Sequence, residues 1–244
     1  MVWTPGDPDP GPCVDSLAPQ VDEVVLVANP GGSPASAGAQ VIANERTLGF
    51  GGNINRGIAA TTAPHVVASN ADIEVTPGAI EILRAFADDH PRCGIAAPQL
   101  RYPDGRWQAS RRSFPTIRGT LVRRTPLRRV LHPDRRQRRH YLFDERPTGP
   151  TPSDWFLGAF LLLRREMLAE LGGLDEGYHL YGEDIDLAYR ASKAGWERWY
   201  VPEAVVIHHH QAVTDRRFLT RRTLWHWRSI LRFVRKHPES LRAL

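Results

Sequence analysis

Gly172-Gly173-Leu174-Asp175-Glu176, followed shortly by Tyr181-Gly182-Glu183-Asp184-Ile185-Asp186-Leu187-Ala188-Tyr189-Arg190, sets five carboxylates among small and apolar residues. Read as a helix that begins at Tyr181, the second block puts Glu183 and Asp184 in the first turn, where the positive end of the helix dipole stabilises anions. Ile185, Leu187 and Ala188 then pack inward. On this reading the carboxylates stand at a mouth and not in a core. An isolated Glu-Asp pair at such a place is usually no more than a pair of capping acids on a solvated helix. The density of acids here asks for a chemical reason as well.

Upstream, short apolar runs alternate with helical patterns. Val24 to Ala28 reads as a buried strand that ends at Asn29-Pro30-Gly31-Gly32, and Gln40 to Ala43 reads as a second. Gly49 to Ala60 is a glycine-rich loop running into a helix. His65 to Ser69 is a strand that stops at Asn70-Ala71-Asp72, and Thr76-Pro77-Gly78-Ala79 opens an amphipathic helix through about Asp88. Gly94 to Pro98, Phe160 to Leu163 and Ala204 to Ile207 are further strands. This alternation predicts an α/β fold, a Rossmann-like, mainly parallel sheet flanked by helices.

With 244 residues, 41% hydrophobic and 24% charged, the composition is that of one ordinary globular α/β domain. Cys13 and Cys93 have no metal spacing and suit a reducing compartment. The start, Met1 to Asp7, lacks the pattern of a signal peptide, and the longest apolar run, Trp155 to Leu163, is well short of the roughly 20 residues of a membrane span. The expectation is a cytoplasmic protein, soluble or peripheral at the inner face of the cell membrane.

The net charge of +5 is uneven. Arg101 to Arg146 carries 14 arginines against 4 acids, and Asp215 to Leu244 carries 9 basic residues against 2 acids, so the remainder is acidic. The first zone, spread with prolines, reads as an insertion over about residues 101–152. The second reads as a basic amphipathic helical tail over residues 216–244, fit to approach an acidic membrane surface. Tyr102, Trp107, Phe114 and Tyr141 among the arginines would also suit nucleic acid, but no nucleic-acid motif accompanies them and none is expected as a partner.

Asp72 falls just beyond the carboxyl edge of a strand, where open α/β sheets bind ligands, although an aspartate also turns a chain there. Gly49, Gly51 and Gly52 fit a phosphate cradle or a tight packing turn equally well. Of His208, His209 and His210, successive residues on an extended chain, only one or two can serve one site.

The run from Gly172 to Arg190, then Gly195-Trp196 and Tyr200-Val201-Pro202, resembles the acceptor-side motif of family-2 glycosyltransferases of the GT-A fold, in particular bacterial rhamnosyltransferase-like members. The resemblance extends from about Cys13 to His237 and includes Pro103 to Gly105, Ser110-Arg111-Arg112-Ser113-Phe114-Pro115 and Trp155 through Arg165. It implies a GT-A domain over residues 1–215, with a donor half at about 1–100 and an acceptor half at about 153–215.

The activity implied is an inverting transfer of a sugar, such as L-rhamnose from dTDP-rhamnose, to a hydroxyl of a cell-envelope glycan or polyprenyl-linked acceptor. Asp184 would be the general base, and Glu183 would hold the acceptor or tune that base. Asp72 would meet a divalent cation, magnesium or manganese, with His208 helping to ligate it. Asn29, Gly49, Gly51, Gly52, Asn55, Asn70 and Asp72 would line the nucleotide-sugar donor, with Asn55 the polar residue of the glycine-rich element that faces it.

Two departures stand out. Only Val2-Trp3-Thr4 precede Pro5, so the family's first strand is expected to be short or missing. Ala28 precedes Asn29 where the family carries an aspartate that contacts base or ribose. A non-catalytic relative acting as a binding or partner subunit is the alternative, with a nucleic-acid-binding protein a distant third.

Overall fold

Apolar runs too short for helices become strands, and the glycine, proline or asparagine after each one turns the chain into the next element. The structure, a computed structural model, describes residues 1–32, 38–114, 142, 145–178, 181–209 and 221–241. In chain order the first part is β1 (Val2–Trp3), α1 (Gly11–Leu17), β2 (Val25–Ala28), β3 (Gln40–Ala43), α2 (Phe50–Ala59), β4 (His65–Ser69), β5 (Ile73–Val75) and α3 (Ala79–Asp89). There follow β6 (Cys93–Arg101), β7 (Trp107–Gln108), β8 (Arg111–Arg112), β9 (Thr151–Pro152), β10 (Trp155–Phe156) and β11 (Phe160–Arg164). α4 (Arg165–Leu171), α5 (Glu183–Lys193), β12 (Glu197–His208) and α6 (Arg221–Lys236) complete the chain. Most of the arginine-rich insertion and His210 lie outside the described residues.

The expected first strand is present but only two residues long, paired in parallel with β2 through Val2↔Val27 and Trp3↔Ala28. β2 continues in parallel to β3. A parallel bridge from Val2 to Asn70 then joins this sheet to the end of β4, where a second path runs β4-β11-β6-β12-β5. Here the direction is mixed: β12 is parallel to β6, whereas β11 is antiparallel to β4 and β6, and β5 is antiparallel to β12. The mainly parallel reading therefore describes the amino-terminal half. Short strands carry no signal of direction in their own residues, so the reversal of β11 could not be read from its apolar run.

Side-chain alternation divides the core into two clusters, one on each face of the sheet. Ala96 and Leu100 of β6 pack with Val14 of α1 and Leu83 of α3, whereas Ile95 and Ala97 pack with Ile54 of α2, Met167 of α4, and Leu187 and Ala188 of α5. β12 runs far beyond the expected Ala204 to Ile207, because a register shift between Val201 and Val205 lets both of its parts pair with β6.

Three buried asparagines hold the loop that leads into α2. Asn44 donates to Asn29 Oδ1 at 2.9 Å and to Asn53 Oδ1 at 2.6 Å, and Asn29 Oδ1 also accepts from the Leu48 N–H at 2.9 Å. Removing a member leaves buried amide groups unsatisfied, which costs about 1–3 kcal/mol. Asn44→Ala is expected to lower unfolding free energy by about that amount in urea denaturation; a change within error would show that the network carries no stability.

Candidate functional site

The carboxylate pair Glu183-Asp184 opens α5 after two left-handed residues, Tyr181 (φ 68°) and the N-cap Gly182 (φ 96°). A positive φ at a tyrosine is a strained conformation. Its ring lies edge-on to His226 of α6 with centroids 5.6 Å apart, so the tail helix packs on this turn. Asp184 is half-buried. Its Oδ2 accepts from the Gly158 N–H at 3.2 Å and its Oδ1 from the Ile185 N–H at 2.9 Å. A Cβ at Gly158 would sit 3.5 Å from Asp184 Cβ and 3.7 Å from the Phe50 ring, ordinary contact distances, so the bond from its N–H and not the lack of a side chain is what ties this residue to Asp184.

Glu183 departs from the expected mouth position: it is buried at 6% exposure. Burial, and then the charge of Asp184, raises its pKa from 4.5 to about 8. Burial likewise raises Asp184, against the two backbone donors that favour its charged form. Burial thus disfavours two charges on the pair and makes both carboxylates stronger bases than solvated acids.

The second group of ligands is built where β4 hands over to β5. Asp72 Oδ1 lies 3.3 Å from His208 Nε2, because the antiparallel register of β5 and β12 sets His208 against Ile73. His208 is buried, and its Nδ1 is 3.0 Å from Gln108 Oε1 on β7. The sequence-selected Asp72 and His208 are thus neighbours, whereas His209 turns outward to Glu74 at 3.1 Å. Among the described residues no cluster of three or more His, Cys, Asp or Glu side chains forms a closed metal cage. One carboxylate oxygen and one imidazole nitrogen directed at each other at a sheet edge fit a hard divalent cation whose other ligands come from phosphate and water.

The two groups are linked through the turn that leads into β11. The Gly158 N–H holds Asp184, the next residue, Ala159, accepts at its carbonyl from the Asn70 N–H at 3.0 Å, and Asp72 lies two residues farther on.

The glycine-rich element behaves differently from its expected role. Asn55 donates to the Leu174 carbonyl at 2.8 Å and to Glu176 Oε1 at 3.0 Å, and its own oxygen accepts from the Leu174 N–H at 2.9 Å. Its amide holds the Gly-Gly-Leu-Asp-Glu loop and does not face a donor. Gly51 is also a packing residue, since a Cβ there would meet Leu174 Cβ at 3.3 Å. Gly49 caps α2, Gly52 packs near Leu48, and the Asn29 side chain is committed to Thr4, Asn44 and Leu48. Asn70 reaches the site through its backbone.

The remaining acids of the motif hold the tail. Asp175 accepts from Arg232 at 2.7 Å and from Lys236 at 2.6 Å; burial opposes its charge, but these hydrogen bonds outweigh it and hold the carboxyl well below the usual range. Asp186 is fully buried, where Ile185 was expected to point inward, and meets Arg190 at 2.7 Å, His237 at 2.8 Å, Lys236 at 3.0 Å and the Tyr178 hydroxyl at 3.3 Å. Here too burial would raise the pKa, and the partners, His237 first, lower it. Sequence reasoning missed Gly158, Gln108 and Asp186. The Asp186 and Arg190 pair, four residues apart on a helix, was the signal for the last.

A mixed sheet with a carboxylate at one strand end, a histidine beside it and a second carboxylate at a helix start is the arrangement expected of a nucleotide-sugar-dependent glycosyltransferase of the GT-A type, and comparison with known proteins shows that class. Residues 16–227 match the family described as Glycosyltransferase like family 2, and the chain belongs to that family. It is 31% identical over 281 aligned residues to the N-acetylglucosaminyl-diphospho-decaprenol L-rhamnosyltransferase of Mycobacterium tuberculosis, covering 96% of this chain and 88% of the relative. It is 40% identical over 86 residues to rhamnosyltransferase WbbL of Escherichia coli K12, covering 34% of this chain and 31% of that one.

Among solved structures, the mannosyltransferase PcManGT of Pyrobaculum calidifontis, in complex with GDP-Man and Mn2+, aligns with a TM-score of 0.57 at 17% identity over 99% of this chain and 63% of its own. Glucosyl-3-phosphoglycerate synthase of Mycobacterium tuberculosis, with Mn2+, UDP-glucose and phosphoglyceric acid, aligns with a TM-score of 0.54 at 18% identity over 88% of this chain and 71% of its own. These likenesses carry the fold.

A carboxyl whose folded pKa lies above its unfolded value loses stability as pH rises between the two, here from 4.5 toward about 8. Thermal melts of the wild type should decline across that window, and Glu183→Gln, neutral throughout, should decline less. Parallel profiles would contradict a raised pKa at Glu183.

Proposed function

We propose that the chain is an inverting glycosyltransferase that moves L-rhamnose from dTDP-rhamnose to a hydroxyl of a lipid-linked, diphosphate-bearing glycan precursor of the cell envelope. The observation that supports this reading is the hydrogen-bonded path from Asp184 through Gly158 and Ala159 to Asn70, two residues before Asp72. The donor sugar and the acceptor of the Mycobacterium tuberculosis relative, as its name gives them, supply the substrate class.

Inversion requires a base on the face of the sugar opposite the leaving diphosphate. Asp184 takes the proton of the acceptor hydroxyl as that oxygen forms its bond to the anomeric carbon and the bond from that carbon to the diphosphate oxygen breaks. The Gly158 and Ile185 N–H groups keep the carboxylate oriented, and burial makes it a better proton acceptor. Glu183, buried and raised in pKa, does not compete for the proton. Asp72 and His208 would hold a magnesium or manganese ion, which when bound neutralises charge on the departing diphosphate. Gln108 orients the imidazole of His208 from behind.

No helix among the described residues is long and apolar enough to cross a membrane. A lipid-linked acceptor would be reached from the surface. On α6 the inward basic residues are tied to Asp175 and Asp186, so a peripheral contact would use the outward face with exposed Arg228, Leu231 and Arg235.

Asp184→Asn is expected to lower kcat by about 10²–10⁴-fold, the usual worth of a general base, while dTDP still raises the melting temperature in the presence of manganese. Asp72→Asn should instead weaken the manganese dependence of that melting shift. Full turnover in Asp184→Asn would end the assignment of the base.

A further inference from the structure

The arginines of the arginine-rich zone have no role in the chemistry above, yet three of them, Arg101, Arg106 and Arg146, converge on one cleft. Gln99, Arg101, Arg106, Trp107, Arg146 and Glu203 line a cleft of ≈ 680 Å³ at the carboxyl end of β6. Each guanidinium is anchored on one side. Gln99, with its amide oxygen turned toward Arg101, accepts from Nε at 2.6 Å and Nη2 at 2.9 Å. Asp104 accepts from Arg106 Nε at 2.6 Å, and the Arg146 guanidinium carbon lies 5.2 Å from the centre of the Trp107 ring. A guanidinium carries five N–H donors, so these anchors orient the groups while leaving donors for a ligand. The anchors of Arg101 and Arg146 are neutral and do not cancel their charge. Planar forks held in this way match the oxygens of phosphate or diphosphate, and three guanidinium groups around one cleft favour a ligand with more than one negative charge.

The side of the sheet on which the cleft lies indicates whose phosphates it takes. Along β6, Ile95 and Ala97 face the cluster that contains Leu187 and Ala188 of α5, and Gln99 and Arg101 continue that alternation. Trp107 pairs with Arg101 and shares that face. Gln108 pairs with Leu100, which packs in the cluster on the opposite face, and it is Gln108 that reaches His208. Successive residues of β7 therefore separate the arginine cleft from the Asp72–His208 pair. A donor diphosphate held at that pair lies on the other side of β7, whereas the cleft opens on the sheet face against which Leu187 and Ala188 of α5 pack.

We propose that this cleft is an anion subsite for the diphosphate that joins sugar to lipid in the acceptor, with Arg101, Arg106 and Arg146 binding its oxygens and Trp107 walling the site. The inference rests on the acceptor class given under the proposed function, but the presence of the subsite can be read without turnover.

Inorganic pyrophosphate is titrated calorimetrically into the full chain in EDTA, so that cation-dependent binding is excluded. The Arg101→Gln/Arg146→Gln double variant is compared with Arg101→Lys/Arg146→Lys. Loss of two charge-assisted hydrogen bonds should weaken pyrophosphate binding by about tenfold or more in the glutamine variant, and the lysine variant should recover part of it. In turnover, the preference for a polyprenyl-diphosphate-linked acceptor over a neutral alkyl glycoside of the same sugar should fall by about the same factor, through KM.

Equal pyrophosphate binding in wild type and glutamine variant would overturn the subsite. An unchanged acceptor preference accompanied by a raised donor KM would assign the cleft to the donor and overturn the proposal. So would an unchanged preference with lost binding to phosphatidylglycerol vesicles, which would make the ligand a membrane headgroup, or with lost retention on a single-stranded oligonucleotide. If no sugar is transferred at all, the proposed function fails, while the pyrophosphate titration still decides whether the cleft binds diphosphate.

Discussion

Asp186 carries a carboxylate with no exposed side-chain surface, and such a charge is tolerable only while its partners are in place. Those partners come from separate parts of the chain: Tyr178 from the loop before α5, Arg190 from α5 itself, and Lys236 and His237 from the end of α6. Uncompensated burial of a charge of this kind costs about 3–5 kcal/mol, which couples the docking of α6 to the position of α5. Arg190 also donates to the carbonyls of Leu171 and Gly173, and Asn55 of α2 grips the next residues of that loop. The chain of contacts α6–α5–loop–α2 thus brackets Asp184, which begins two residues before the buried charge.

The acidic motif therefore divides by environment and not by residue type. Asp175 and Asp186 face cations and stay charged, Glu176 meets an amide, Glu183 is buried with no ion pair to a cation among the described residues and has its pKa raised, and Asp184 hangs from two backbone donors. The same charge type supplies a structural latch and a candidate base within one short stretch. The basic tail and the acidic body implied by composition are, in part, the two halves of this latch.

Much of the architecture is legible from hydrophobic runs. β2, β3, β4 and α3 lie within a few residues of where apolar periodicity and turn residues set them, because their side chains are sorted by burial alone. The metal candidates Asp72 and His208 were both visible as polar residues at strand ends. Their meeting was not, since it depends on β5 pairing antiparallel with β12 across more than a hundred residues of chain. Asn55 looked like a donor contact because it is polar and sits in a glycine-rich element. Its partner is the backbone of Leu174, which no local pattern announces. Ile185 and Asp186 exchange their expected places for a related reason: apolarity predicts the inward face only until a buried charge finds enough partners to replace water.

By itself the sequence determined the class of fold, the positions of most strands, the family, and the short list of carboxylates and histidines able to do chemistry, because each follows from local periodicity or from a recognisable run of residues. Tertiary structure alone decided which acids burial raises and which are paired with cations, because pKa and orientation are set by groups distant in the chain. It also decided that β11 runs antiparallel to β4, so that the turn before it brings Gly158 to Asp184 and Ala159 to Asn70, and that β7 sets the arginine cleft and the Asp72–His208 pair on opposite faces. Strand direction and sheet face are properties of pairing, and pairing is fixed by the whole chain.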